Sequence, residues 1–272
     1  DAIKAHKAGA AVLHIHARDP QTGKPCGDMA VYGEIFDRIR SECDAVLCAT
    51  TGGAIGMPVA DRIRVVPTHH PELASFNAGS VNFGLFDIPD KMKVDKWRFD
   101  WELPYLYGTK EMVYTSTFSM LEEFARLFTE NGTKPEAEIF DSGMINNLAY
   151  VVQKGLLKTP VYLQFVMGIM GGIPATVENL AFLAETAGRT LGNGVQWAVC
   201  AAARGQMPMG AAGLLMGSHV RVGLEDSLLI ERGVLAKSSA EQVEKIVRIM
   251  GELGYEPATP NEARQILSIP TH

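Results

Sequence analysis

No apolar run in this 272-residue sequence approaches the roughly 20 residues that a membrane-spanning helix requires, and nothing in it marks a signal or transit peptide. Positive charge is not in excess either: Lys and Arg total 25 against 31 Asp and Glu, a formal net charge of -6. That balance removes any general attraction to nucleic acid or anionic lipid and leaves room only for a local basic pocket. Cysteine is scarce and unpatterned. Cys26, Cys43, Cys48 and Cys200 show no CxxC spacing, and Cys48 and Cys200 lie in apolar runs where thiols behave as small hydrophobes, so a reducing cytoplasm is the expected compartment. There is no internal repeat, no low-complexity tract and no initiator methionine. The chain opens at Asp1 directly into the helical stretch AIKAHKAGA, which reads as a start from which an upstream segment is missing.

What is present is a soluble, globular composition, 47% hydrophobic and 21% charged, in a chain long enough for one large domain. Short β-branched runs alternate with segments of helical period, the pattern of parallel βα units. Strands are expected at 12–17, 45–50, 73–78, 137–142, 161–166, 195–200 and 220–225. A further extended run at 111–116 belongs to a long connection. Seven strands behind a leading helix predict a (β/α)8 TIM barrel, one domain over 1–272, whose first strand precedes Asp1. A doubly wound sheet is the alternative, but no GxGxxG follows any strand, and polar residues recur at strand C-terminal ends, where barrel sites lie. Residues 84–110 form an aromatic, charged insertion too long for an ordinary loop, expected to fold over the site or against another subunit.

Strand alternation puts His14 and His16 on one face, with Leu13 and Ile15 on the other. Two imidazoles so placed either share a divalent metal or are hydrogen-bonded core histidines. His6, His69, His70 and His272 lie in turns or near the chain ends and are weaker candidates. In HVRVGLEDS the same alternation groups Arg221, Gly223 and Glu225, with Asp226 following. An internal ion pair is one reading of that face. With two inward histidines nearby, Glu225 as third ligand of a zinc is the other, and the stronger.

The ordered set HIHARDPxTGxP, TTGG (50–53), PELASFNAGSVNFG (71–84), EIFDSG (138–143), GIMGGIPAT (168–176) and HVRVGLED resembles the β-keto acid cleavage enzyme family over nearly the whole chain. The resemblance implies a zinc-dependent TIM barrel, usually tetrameric, that converts a β-keto acid and acetyl-CoA into acetoacetate and a new CoA thioester. It implies one zinc on His14, His16 and Glu225, a catalytic pair of Arg221 and Asp226 with Glu138 nearby, and substrate contacts from Thr50, Gly53 and Ser75. Proton removal falls either to Arg221, polarised by Asp226, or to Glu138. Two features depart from the family: the absent first strand, which carries a substrate-facing residue, and the length of the 84–110 insertion. GIMGGIPAT reads as an anion cradle or as a tight βα turn, and Arg204 as a CoA-phosphate contact or a solvated loop residue. The rival functions are an amidohydrolase-like zinc hydrolase, for which further metal ligands are lacking, and a non-catalytic binding barrel.

Overall fold

The computed structural model describes residues 1–53, 57–92, 96–192 and 194–269; His272, one of the weaker histidine candidates, lies outside them. Among these residues seven strands form one all-parallel sheet in chain order: β1 (Val12–Ile15), β2 (Val46–Ala49), β3 (Leu73–Asn77), β4 (Lys134–Ile139), β5 (Tyr162–Met167), β6 (Gln196–Ala201) and β7 (His219–Val220). β2, β3 and β5 are buried along their whole length, as strands covered on both faces must be. The sheet curls until its ends face each other. Asp1, ahead of β1, accepts a hydrogen bond from the Ser239 amide beyond β7 at 2.8 Å, and His16 Nε2 lies 3.8 Å from Glu225 Oε1.

Outward-facing Leu13, Leu47, Phe76, Leu163 and Phe165 pack under the surrounding helices. Four of the longer helices have a legible start. Asp28 caps Met29–Arg40, Thr117 caps Phe118–Glu130, Asp141 caps Ser142–Gln153 and Thr176 caps Val177–Leu191, each side chain accepting a free backbone N–H of the first turn. Phe124 and Phe128, one turn apart, both meet Phe76 of β3, at ring-centroid distances of 6.1 and 5.5 Å.

The expected strand boundaries shift by a residue or two at most strands, the first ending at Ile15 just before His16, and two larger shifts bear on the site. The fourth strand begins at Lys134 rather than 137, with its amide donating to Glu72 O at 2.9 Å, and Asp141, expected within the strand, instead caps the next helix. The seventh strand stops at Val220. Arg221 N still donates to Val199 O, but the amides of Asp226 and Ser227 then turn back onto Gly223 O. Arg221 and Glu225 are therefore not alternate positions of one strand; a turn around Gly223 brings them together.

The N-terminal end of the sheet is closed by the helix Pro260–Ile266. Its start, TPNE, is a capping box: Thr259 accepts from the Glu262 amide while Glu262 accepts from the Thr259 amide. Ala263, Leu267 and Ile269 pack against Val46, Leu73 and Tyr162 at the strand starts. Arg264 anchors the plug with paired bonds to the Glu72 carboxylate, 2.5 and 3.2 Å, and a third to Asp44 O, 2.8 Å. Between residues 84 and 110, the short helices Ile88–Lys91 and Glu102–Gly108 frame a cluster of Phe99, Trp101 and Tyr105. Trp101 Nε1 donates to Thr22 O, so the insertion rests on the turn that follows β1, beside the strand C-terminal ends. Among the described residues no helix is long and apolar enough to cross a membrane.

Leu267, 4% exposed, fills the floor of the barrel. Leu267→Ala is expected to cost about 2–5 kcal/mol in urea unfolding, the range for a buried leucine whose cavity cannot fully collapse. A loss below about 1 kcal/mol would show that the plug is not part of the cooperative core.

Candidate active site

In a parallel sheet, laterally paired residues point to the same side and the side alternates along each strand. The register pairs His14 with Cys48, Ser75 with Glu136, Asn77 with Glu138, and Glu138 with Gln164. His14 reaches across the interior from β1 to Glu136 on β4, Nδ1 to Oε1 3.0 Å, which fixes this set as the inner face. The polar residues gather toward the strand C-terminal ends, above the apolar floor.

Glu136 was not singled out from the sequence. Lys134, Glu136 and Glu138 recur at period two, the signal of a charged inner strand face, and the expected start at 137 concealed it. Burial pushes the Glu136 carboxyl up, but the hydrogen bond from His14 and the nearby positive charge, Arg221 included, outweigh it and leave the group below the ordinary carboxylate range. Its ionised oxygen then fixes the proton of His14 on Nδ1. The other nitrogen, Nε2, is buried and has no partner. An imidazole held by a carboxylate on one side with a free lone pair on the other is the arrangement of a metal ligand with its outer support.

His16 stacks on His14, ring centroids 5.1 Å apart, and turns Nε2 toward Glu225. His16 and Glu225 stand at the rim, with side chains 34% and 48% exposed. Burial lowers the His16 pKa to about 3 despite the attraction of Glu225, so the ring stays neutral and its lone pair is available. For Glu225 burial acts upward, but the Arg221 guanidinium outweighs it and the carboxylate stays ionised. His14, His16 and Glu225 thus lie together at the strand ends as one group of metal-ligating side-chain types. A second grouping, His14, Cys48 and Glu136, has its ligand atoms within 4.8 Å. It would use the nitrogen already committed to Glu136, and burial with the adjoining carboxylates keeps the Cys48 thiol protonated, its Sγ donating to Glu136 at 3.7 Å. This cluster supports His14 rather than forming a separate centre.

Arg221 is the electrostatic hub. It holds Asp226 through two bonds, Nε–Oδ2 2.9 Å and Nη2–Oδ1 3.0 Å, and also reaches Glu225 at 2.6 Å and Glu138 at 3.3 Å. Burial alone would lower its pKa, but the carboxylates, Asp226 foremost, raise it well above the ordinary value, so the guanidinium is permanently charged. Glu138 differs from Glu136: burial raises its carboxyl and the pull of Arg221 offsets this only in part. Two carboxylates on one strand face are thereby pushed in opposite directions, one fixed as an anion and one able to carry a proton.

Of the remaining expected residues, Thr50 is buried and its Oγ1 accepts from the Gly52 amide, 2.9 Å, closing the TTGG turn. Gly53 has φ +69°, and a Cβ there would meet Arg62 Cγ at 2.7 Å, so the turn excludes a side chain. Arg62 braces the turn by donating to Thr51 O at 2.8 Å. Ser75 faces inward, fully buried, with no partner for its Oγ. The glycine run after β5 is a tight turn: the amides of Gly168, Gly172 and Ile173 are all spent within the protein, and a Cβ on Gly171 would lie 1.7 Å from Asn82 O. Arg204 is exposed in the turn Ala203–Gly205. Other histidines are tied elsewhere, His6 to Ala10 O and His69 to Met29 O, while His219 packs its ring edge against Tyr162 deeper in the barrel. All four cysteines are free.

A parallel α/β barrel with metal-ready histidines, a split carboxylate pair and a buried guanidinium at its strand C-terminal ends has the build of an enzyme. The family model for beta-keto acid cleavage enzyme matches residues 1–269, and the chain belongs to that family. It is 44% identical over 270 residues to the 3,5-dioxohexanoate:acetyl-CoA acetone transferase of Paraburkholderia graminis, covering 98% of this chain and 86% of that protein. It is 35% identical over 271 residues to a 3-keto-5-aminohexanoate cleavage enzyme of Fusobacterium nucleatum, covering 99% and 87%. The fold is that of apo ObcA, with a TM-score of 0.79 at 17% identity; this chain is covered to 99% and spans 64% of that chain.

The support that Glu136 gives His14 can be measured without turnover. Glu136→Ala is expected to weaken divalent-metal affinity about 10–100-fold in competition with a chromogenic chelator, as for other carboxylates behind metal-bound histidines. Unchanged affinity would show that another group orients the ring.

Proposed function

We propose that this protein is a zinc-dependent β-keto acid cleavage enzyme performing a Claisen-type acyl exchange, in which a β-keto acid and acetyl-CoA become acetoacetate and a new acyl-CoA. The observation that carries the reading is the Arg221 hub, a fixed cation joining the carboxylate suited to a metal, Glu225, to one suited to proton transfer, Glu138. His14, His16 and Glu225 would hold one zinc per chain, and zinc bound there supplies Lewis-acid polarisation that makes the C2 protons of the acid more acidic. Glu138 removes the C2 proton. Its raised pKa suits that task, whereas Arg221, held charged by three carboxylates, is a poor base and instead faces the negative charge that develops. Asp226 fixes the plane of the guanidinium. Ser75 and Thr50 face the substrate from β3 and the end of β2, and Gly53 lets it approach the TTGG backbone.

The C2 carbanion equivalent then attacks the acetyl thioester and expels CoA thiolate. That thiolate adds to the original 3-oxo carbon, the C2–C3 bond breaks, and the enolate left at C2 takes back the proton held by Glu138, giving acetoacetate and the CoA ester of the remaining acyl group. Four free thiols support a cytoplasmic location, and exposed Leu228, Val234 and Leu235 on the hairpin after β7 support a homo-oligomer, which we take to be a tetramer of single-domain chains.

With deuterated acetyl-CoA and a panel of β-keto acids, the label is expected in acetoacetate and not in the new CoA ester. Unlabelled acetoacetate, or consumption of the acid at full rate in buffer as by a hydrolase, excludes acyl exchange. Arg221→Lys keeps the charge but loses the planar fork that Asp226 grips, and is expected to lower kcat by roughly 100-fold or more while the protein stays folded. A near-normal kcat would remove Arg221 from the reaction.

A further inference from the structure

Among the described residues, buried polar atoms on the inner faces of three strands lack any partner: His14 Nε2 on β1, Ser75 Oγ on β3 and Gln164 Nε2 on β5. The first two have roles in the reading above. Gln164 has none. It is 1% exposed, and its register partners are Glu138 on one side and Ala198 on the other, so its side chain enters the interior beside the proposed base, about 4.8 Å away from strand to strand. Its outward neighbours Leu163 and Phe165 are fully buried, so the residue cannot turn its amide to solvent. The Glu138 carboxylate, an obvious acceptor, is engaged by Arg221 instead. An amide donor kept dry and unpaired destabilises the protein unless something else accepts its hydrogen bond.

We propose that Gln164 is a substrate-binding residue whose side-chain amide donates a hydrogen bond to an oxygen of the β-keto acid, on the opposite side of Glu138 from Asn77. The inference rests on the reaction class proposed above and adds a contact to it. The chemistry is complementary: a β-keto acid anion carries only oxygen acceptors, and the interior offers it an unpaired amide N–H and an unpaired hydroxyl. Placed next to Glu138, the amide holds the acid so that its C2 carbon meets the base.

The test uses zinc-loaded full-length protein and acetoacetate, a β-keto acid and the expected product, titrated by calorimetry without CoA. Gln164→Met keeps the volume and removes the N–H; Gln164→Asn keeps the N–H but draws it back by one methylene. Gln164→Met is expected to raise the acetoacetate Kd and the β-keto acid KM at least 10-fold, with metal content and circular dichroism unchanged, and Gln164→Asn to weaken binding as well. Should Gln164→Met fail to fold, the Asn variant decides alone. Wild-type affinity in the folded variants overturns the inference and shows that the amide is served by a buried water, leaving the acyl-exchange reading intact. Wild-type protein that does not bind acetoacetate overturns both.

Discussion

A guanidinium out of water must be surrounded by negative charge, and much of the upper half of this barrel is arranged by that demand. Arg221 lies just past β7, and satisfying it draws in Glu138 from β4 and both Glu225 and Asp226 from the following turn. The same bonds that neutralise the arginine close the sheet from its seventh strand toward its fourth and hold Glu225 opposite His16. Buried ion pairs contribute little net stability and cost much when broken. Their value here is positional: a permanent cation fixed between two carboxylates with different work.

Those two kinds of carboxylate follow from backbone alternation. Glu136 and Glu138 project to the same face two residues apart, yet one meets an imidazole and the other an arginine at longer range, and burial dominates only the second. Identical chemistry at one strand step thus yields a fixed anion behind the His14 imidazole and a protonatable acid beside it. The inward set is completed from several strands, which is why the site needs the barrel to be curled before any of it exists.

Most of the scaffold was legible in advance, because parallel strands and capped amphipathic helices leave local patterns: VLHIH, the Asp and Thr caps, the glycine turns. His14 and His16 were legible for the same reason. Arg221, Glu225 and Asp226 do come together, but by another geometry than expected, since the strand ends at Val220 and a turn around Gly223 does what alternation was expected to do. Glu136 and Gln164 were missed. Each is a polar residue inside a buried strand, a mark visible in KPEAEI and YLQFVM, but what it signifies depends on partners 122 residues distant, as for His14 and Glu136, or on the absence of any partner. The floor helix was equally silent, because nothing local tells TPNEARQIL which end of a barrel it will cover.

That floor has a consequence for depth. Ala263, Leu267 and Ile269 cover the strand starts, so among the described residues the polar inner face is gathered away from that floor, toward the strand C-terminal ends. On the proposed reaction, a small acid held by the inner donors would lie deeper than the bulkier thioester that meets it at the strand ends.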